Sequence, residues 1–315
     1  MSGPGKIRST VIETEGLTRK FGDLVAVEDL SFEVRRGEIV ALLGPNGAGK
    51  TTTVRMLACL IAPTSGRAWV GGRELREAPD EIRAIVGILT ETPGLYRRLS
   101  AWQNLRFFAE LYGVRDADAR IEKYLTLFGL WERRREPVAT FSKGMRQKLA
   151  LARALLHEPR VLLLDEPTAG LDPESARAVR EFIAELRGAG RAVLLCTHNL
   201  PEAERLCDRI VLLRTRLVAE GTPEELKHRL FGPRVVIELA NPRPGIEDAL
   251  RLPGINSAEL AGEKLYVEVG DPRRDNPRLI RRLVELGAEI VSVREAETTL
   301  EDVYHELMEG ADAQG

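Results

Sequence analysis

The sequence predicts an α/β fold: a parallel-sheet core interrupted by a helical insertion, followed by a small α+β unit. Three observations predict it. Short apolar runs at 39–43, 161–164, 192–195 and 210–213 are each bounded by turns or helices, as parallel strands buried on both faces are. The first run ends in a glycine-rich turn, and helical periodicity starts at Lys50. Beyond residue 234 the order strand, helix, strand, strand, helix, strand is the ferredoxin-like pattern.

Taken in order, residues 1–8 and 310–315 are small and polar and read as frayed ends. Residues 10–15 and 30–34 read as strands, 50–61 as a helix and 84–90 as a further strand. From about 100 to 157, Leu, Phe and Ala recur at helical spacing. Gly221-Thr222-Pro223 opens a loop and a short helix to about Leu230, and Phe231-Gly232-Pro233 reads as a linker. The C-terminal unit then reads as strands at 235–239, 257–260, 265–269 and 289–293, helices at 245–252 and 277–286, and a closing helix at 299–309.

The 315 residues suggest about two domains at roughly 150 residues each. Forty-six Lys+Arg against 48 Asp+Glu give a net charge of −2, which argues against binding nucleic acid through overall positive charge. Cys59, Cys196 and Cys207 have no metal-ligand spacing and make no disulfide framework, so they read as reduced thiols. No apolar run approaches the ~18–20 residues of a membrane span, and the start, Met-Ser-Gly-Pro-Gly-Lys, has no signal-peptide core. The expectation is a cytoplasmic chain that serves any membrane through a partner.

Gly44-Pro45-Asn46-Gly47-Ala48-Gly49-Lys50-Thr51, followed by Thr52, fits G-x-x-x-x-G-K-[ST] between a strand and a helix. Glycines let backbone N–H groups approach phosphate oxygens, and the helix N-terminus adds a positive dipole end. Lys50 would neutralise the β/γ-phosphates, and the Thr51 hydroxyl can ligate Mg²⁺. The strand at 161–164 ends in Asp165-Glu166. Asp165 would hold Mg²⁺, and Glu166 would orient or deprotonate an attacking water.

Phe141-Ser142-Lys143-Gly144-Met145-Arg146-Gln147 precedes that strand. Here the chain resembles the ATP-binding subunit of ABC transporters, whose signature is Leu-Ser-Gly-Gly-Gln. Phe141, Lys143 and Met145 depart from it, in the manner of subunits of drug-, sodium- and polysaccharide-export type. Ser142 and Gly144 are kept. The resemblance covers residues 9–230 and implies a P-loop NTPase core with an antiparallel β subdomain and a helical subdomain at about 92–158. It leaves 234–309 as an accessory ferredoxin-like domain in which no catalytic constellation is legible.

The resemblance implies ATP and Mg²⁺. Phe21 falls where the family stacks an aromatic ring on adenine; the other reading of Phe21 is a core aromatic. Gly170-Leu171-Asp172-Pro173 matches the family's dimer-interface loop, and His198 its switch histidine. Glu91 stands where the family usually has Gln, and can either ligate the metal with a full charge or point away. The resemblance also implies a sandwich of two such subunits, expected to be a homodimer, in which Ser142, Lys143, Gly144, Met145 and Asp172 act across the interface. It implies a separate transmembrane permease reached from the inner face of the membrane. The segment 91–96 and Trp102 to Tyr112 are the expected docking surface, with Leu105, Phe107, Phe108 and Leu111 as candidates; core packing is the competing reading. The alternative function is a soluble ATPase of the same type in translation or DNA maintenance. The stretch from Lys50 to Ser142 leaves no room for the long insertion of repair proteins. No nucleic-acid partner is expected.

Overall fold

The computed structural model describes residues 10–230, 234–250, 252–295 and 299–312. The expected frayed end at 1–8 and the linker Phe231-Gly232-Pro233 lie outside the described residues, as do 313–315. Residues 310–312 continue the last helix. The chain divides into two compact units at Glu220/Gly221.

The first unit opens with β1 (Thr10–Phe21) and β2 (Leu24–Arg35). Both are longer than their alternation suggested, because the pairing continues through register shifts between Thr14 and Leu17 and between Leu17 and Arg19. Gly16 and Asp29 take positive φ there and break the period of two. Next come β3 (Ile39–Leu43) and α1 (Lys50–Leu57). The helix stops short of the expected Ile61 because Cys59 takes φ 54, and the Leu60 N–H donates back to the Arg55 carbonyl.

Among the elements given no range in the sequence reading are β4 (Ser65–Val70), β5 (Arg73–Glu74) and α2 (Pro79–Ile85). With β1 and β2 the two strands complete an antiparallel sheet in the order β2-β1-β4-β5. Because α2 takes residues 79–85, the following β6 (Val86–Leu89) starts two residues later than expected.

The insertion consists of α3 (Ala101–Leu111), α4 (Ala117–Leu127) and α5 (Lys143–Leu155). A capping box starts α3: Ser100 Oγ accepts the Gln103 N–H while the Gln103 side chain accepts the Ser100 N–H. The core then resumes with β7 (Val161–Asp165), α6 (Pro173–Gly188), β8 (Ala192–Thr197), α7 (Leu200–Leu206), β9 (Arg209–Arg214) and β10 (Arg216–Gly221). The second sheet has the order β10-β9-β3-β8-β7-β6, and β6, β7, β8, β3 and β9 run parallel. Ile39, Val40, Ala41, Leu42 and Leu43 are completely buried, and each large apolar side chain so buried contributes roughly 1.5–3 kcal/mol. Val40, Leu42, Leu163 and Leu194 share one core with Leu17, Leu30 and Val70 of the antiparallel sheet.

The second unit begins with α8 (Pro223–Leu230), which packs on α10 (Leu300–Asp312). Between them lie β11 (Arg234–Leu239), β12 (Ile255–Ala261), β13 (Lys264–Val269), α9 (Pro272–Glu285) and β14 (Ile290–Glu295). The fully antiparallel order β12-β13-β11-β14 is that of a ferredoxin-like sheet. One expected helix does not form: among the described residues of 245–252 there is only a 3₁₀ turn at Asp248–Leu250. Pro242, Pro244 and Pro253 fence it in, and Ile246 and Leu250 reach the core without a helix. In contrast, α9 starts at Pro272, capped by Asp271, so Pro277 lies inside it and not at its start.

Candidate functional site

Four segments leave the carboxyl ends of parallel strands side by side, the edge of an open α/β sheet where ligands bind. Leu43 of β3 pairs with Thr197 of β8, Cys196 of β8 with Asp165 of β7, and Leu164 of β7 with Leu89 of β6. The glycine loop, Asp165-Glu166, His198 and Glu91 follow directly. They line one cleft of about 660 Å³, together with Asn46 to Thr52, Ala169, and Phe21, Leu24, Val25 and Ala26 from the β1–β2 end.

Lys50 is the first residue of α1 and is buried. Its Nζ donates to the Gly44 carbonyl at 2.6 Å and the Pro45 carbonyl at 2.9 Å, contacts that phosphate oxygens can replace. Gly49 caps α1 at φ 101 without a side-chain hydrogen bond. The first-turn N–H groups therefore remain for an anion. A Cβ at position 49 would stand 2.4 Å from the Ala26 carbonyl oxygen and 2.8 Å from Val27 Cγ2, so β2 presses the loop into place.

Asp165 ends β7 and is only 2% exposed. The Thr51 hydroxyl donates to its Oδ2 at 2.7 Å. Burial is the main cause that pushes this carboxyl above its usual range; the Thr51 bond and Lys50 oppose it, while Glu166 and Glu91 add to it. A divalent cation at this point would relieve that crowding. The donors present suit Mg²⁺, which takes one or two carboxylates and completes its shell with phosphate oxygens and water. Among the described residues no three His, Cys, Asp or Glu side chains form a protein-only metal cage.

Glu166 follows at φ 49, its N–H donating to the Cys196 carbonyl at 2.9 Å. This left-handed residue turns the side chain back over the strand ends, where Oε1 lies 2.7 Å from His198 Nδ1. Glu166 Oε1 can accept a hydrogen bond from Nδ1–H in the tautomer that carries its proton there. The pair can hold a carboxylate ready to take a proton from a water molecule.

Phe21 is 45% exposed and lines the cleft, which excludes the core reading; the Arg19 guanidinium lies 4.4 Å from its ring centroid. Ser142, Lys143, Gly144, Met145 and Asp172 do not line the cleft. Ser142 caps α5, its Oγ accepting the Met145 N–H at 3.2 Å. Gly144 is buried, and a Cβ there would meet Ser175 Oγ at 2.9 Å. Asp172 caps α6 by accepting the Ser175 N–H at 2.9 Å; that bond is the first cause holding its carboxyl below the usual range.

The sequence reading missed residues that brace the site. Gln147 Nε2 donates to the Pro167 carbonyl at 2.9 Å, and Glu202 lies buried beneath Thr168 and Thr197. Asn199, with Glu202 three residues on, was legible as a helix start, but not as a brace. Of the candidate docking residues, Leu105 is completely buried and belongs to the core, whereas Phe107 and Leu111 are exposed. Leu111, Tyr112 and Leu60 line a cleft of about 470 Å³.

A nucleotide-phosphate site on a P-loop NTPase core is the class that fold and site define. The chain belongs to the ABC transporter ATP-binding proteins: residues 27–169 match the ABC transporter family and 221–308 the C-terminal domain of DrrA1-3-like ATP-binding proteins. It is 38% identical over 303 residues to the daunorubicin resistance ATP-binding protein DrrA3 of Streptomyces coeruleorubidus, covering 95% of this chain and 96% of that protein. It is 44% identical over 221 residues to the probable multidrug ABC transporter ATP-binding protein YbhF of Escherichia coli (strain K12). That match takes in 69% of this chain but 38% of YbhF, so the chain spans well under half of that relative. A solved ATP-binding subunit of an ABC transporter superimposes with a TM-score of 0.65 at 38% identity, over 70% of this chain and 93% of the other.

Proposed function

We propose that this chain is the ATP-hydrolysing, energy-coupling subunit of an export system. It binds ATP with Mg²⁺, pairs with a second copy of itself, and drives a separate membrane permease from the cytoplasmic face. The observation that carries the reading is the gathering of Lys50, Thr51, Asp165, Glu166 and His198 in one cleft. The export direction is supported by the names of the relatives and by the DrrA-like C-terminal unit.

The loop N–H groups and Lys50 bind the phosphates, and Phe21 stacks on the base. Thr51 and Asp165 would hold Mg²⁺, with Glu91 at hand; the ion when bound neutralises phosphate charge. Glu166 takes the proton of the attacking water, and His198 keeps its carboxylate pointed at the γ-phosphate side of the cleft. Ser142, Lys143, Gly144, Met145 and Asp172, which stand outside the cleft of their own chain, act on the ATP of the second copy. ATP then stabilises the closed pair through contacts the open pair lacks, and hydrolysis removes them. The cleft of Leu60, Leu111 and Tyr112 and the exposed Phe107 offer the permease an apolar surface. The ATPase, expected over 9–230 with 92–158 as its helical part, is drawn to end at the Glu220/Gly221 division, and the accessory domain, expected over 234–309, takes in α8 as well because α8 packs on α10. Among the described residues no helix is long and apolar enough to cross a membrane, which fits a permease on another chain.

The test is capture from detergent-solubilised membranes of the host with tagged Glu166→Gln protein, ATP and Mg²⁺. A polytopic membrane protein in the eluate is expected. Ribosomal or DNA-associated companions without one would contradict the transport reading.

A further inference from the structure

Glu202 is a carboxylate in a place that normally excludes one. It is 2% exposed, in the first turn of α7, and its N–H is held by Asn199 Oδ1 at 3.1 Å. Oε2 accepts from Thr168 Oγ1 at 3.0 Å and lies 3.3 Å from Thr197 Oγ1. Oε1 is buried without a hydrogen-bond partner, with Arg180 Nη1 at 4.0 Å. A group so costly to bury needs a compensating role.

Its two hydroxyl partners belong to two different parts of the site. Thr197 ends β8 immediately before His198, and its Oγ1 also reaches Glu166 Oε2 at 3.5 Å. Thr168 lies in the loop that runs from Glu166 to Asp172. We propose that Glu202 is a positioning residue that ties the Glu166–His198 pair to the loop 167–172 through the hydroxyls of Thr197 and Thr168. The inference rests on the ATP-hydrolysing reading of the cleft.

Proton counting sharpens it. Thr197 Oγ1 carries one proton and faces two carboxylate oxygens, while its lone pair takes the Asn199 N–H at 3.0 Å. If Glu202 is ionised, Glu202 and Glu166 compete for that proton. If Glu202 is in its acid form, its own O–H supplies the missing donor and the Thr197 proton is free for Glu166. Burial pushes the Glu202 carboxyl up, in the direction of the acid form. Movement of the loop 167–172, which leads to Asp172 at the proposed interface, would thereby reach Glu166 through three hydrogen bonds in series: Thr168 to Glu202, Glu202 with Thr197, and Thr197 to Glu166.

The test compares steady-state ATP hydrolysis and direct nucleotide binding in wild type, Glu202→Ala, Glu202→Gln and Thr168→Val. Glu202→Ala is expected to lower kcat about tenfold with KM and ATP affinity within about twofold, the signature of a lost transition-state arrangement. Glu202→Gln, which keeps the size and supplies a donor, restores kcat to within about threefold of wild type. Thr168→Val lowers kcat by itself, and adds less to Glu202→Ala than it costs alone. Should Glu202→Ala fail to fold, Glu202→Gln and Thr168→Val decide. Wild-type kcat in Thr168→Val, or a tenfold loss in Glu202→Gln, overturns the inference. So do an unchanged kcat in Glu202→Ala and a parallel loss of kcat and nucleotide affinity. A wild-type protein that binds ATP but hydrolyses none overturns the ATPase reading itself, which an active wild type with indifferent variants does not.

Discussion

Gly49→Ala is a perturbation whose cost can be worked out from the loop. The residue sits at φ 101, where an L side chain costs roughly 1–2 kcal/mol. Its Cβ would also come 2.4 Å from the Ala26 carbonyl oxygen and 2.8 Å from Val27 Cγ2. The first of these is backbone and cannot rotate away, and overpacking of this kind costs typically 1–3 kcal/mol. The total is about 3 kcal/mol, or roughly 6–12 °C in Tm for a unit of about 200 residues. Gly47→Ala is the control: it has φ 84 but nothing within 4 Å of its Cβ. It should lose only the conformational part, about 1 kcal/mol and roughly 2–4 °C. Thermal melting followed by circular dichroism, with and without ATP, reads both. Equal shifts in the two variants would refute the claim that β2 presses on the loop at Gly49. So would a Gly49→Ala protein that melts with wild type.

Phe21→Leu should weaken ATP binding about fivefold and leave kcat unchanged, since stacking is worth about 0.5–1.5 kcal/mol. Phe21→Trp should restore it, and equal affinities by equilibrium dialysis would remove Phe21 from the site. Ser142→Ala loses the cap of α5, about 1 kcal/mol or roughly 2–4 °C in Tm. It should spare ATP binding to the single chain while lowering hydrolysis at high protein concentration; loss of binding by the single chain would contradict the placement of Ser142 outside the cleft. Glu202 sets a pH dependence of stability. Its carboxyl is raised above the ordinary 4.5 chiefly by burial and also by Glu166, with Arg180, Thr168 and Thr197 opposing. The folded protein therefore holds this proton more tightly than the unfolded chain, and ionisation costs stability as pH rises from 4.5 through the folded value. Glu202→Gln should gain Tm over wild type at neutral pH, and the gain should vanish below about pH 4.5. A gain independent of pH would show that Glu202 does not titrate on unfolding.

What the sequence disclosed follows from what local pattern can encode. The strands β3, β7, β8 and β9 were legible because burial on both faces demands uninterrupted apolar runs. The glycine loop and Asp165-Glu166 were legible because phosphate and metal chemistry fix residue type and spacing. The antiparallel strand β4 was not, since Ser65, Gly66 and Arg67 carry no alternation of their own, and the strand is fixed by the pairing of Ser65 and Arg67 with Thr18 and Glu15 of β1. Helix α2 could have been found: Pro79, Asp80 and Glu81 are a helix-start signal. The helix expected at 245–252 does not form because Pro242, Pro244 and Pro253 crowd both its ends, which apolar spacing alone does not register. Glu202 and Gln147 were invisible as braces, because their partners come from distant segments and only the folded sheet brings them together. Leu105 and Leu111 share one helix, and only packing separates the buried residue from the exposed one.

The most direct test of the central claim uses Glu166→Gln, which removes the proposed base and keeps its shape. Light scattering on this variant at high concentration, with ATP and Mg²⁺, should give twice the mass of the single chain, while hydrolysis falls by about 10²-fold or more. Without nucleotide, or with Lys50→Ala added, the mass should return to that of one chain. A Glu166→Gln protein that stays a single chain while ATP is bound, or that hydrolyses ATP at the wild-type rate, would contradict the account.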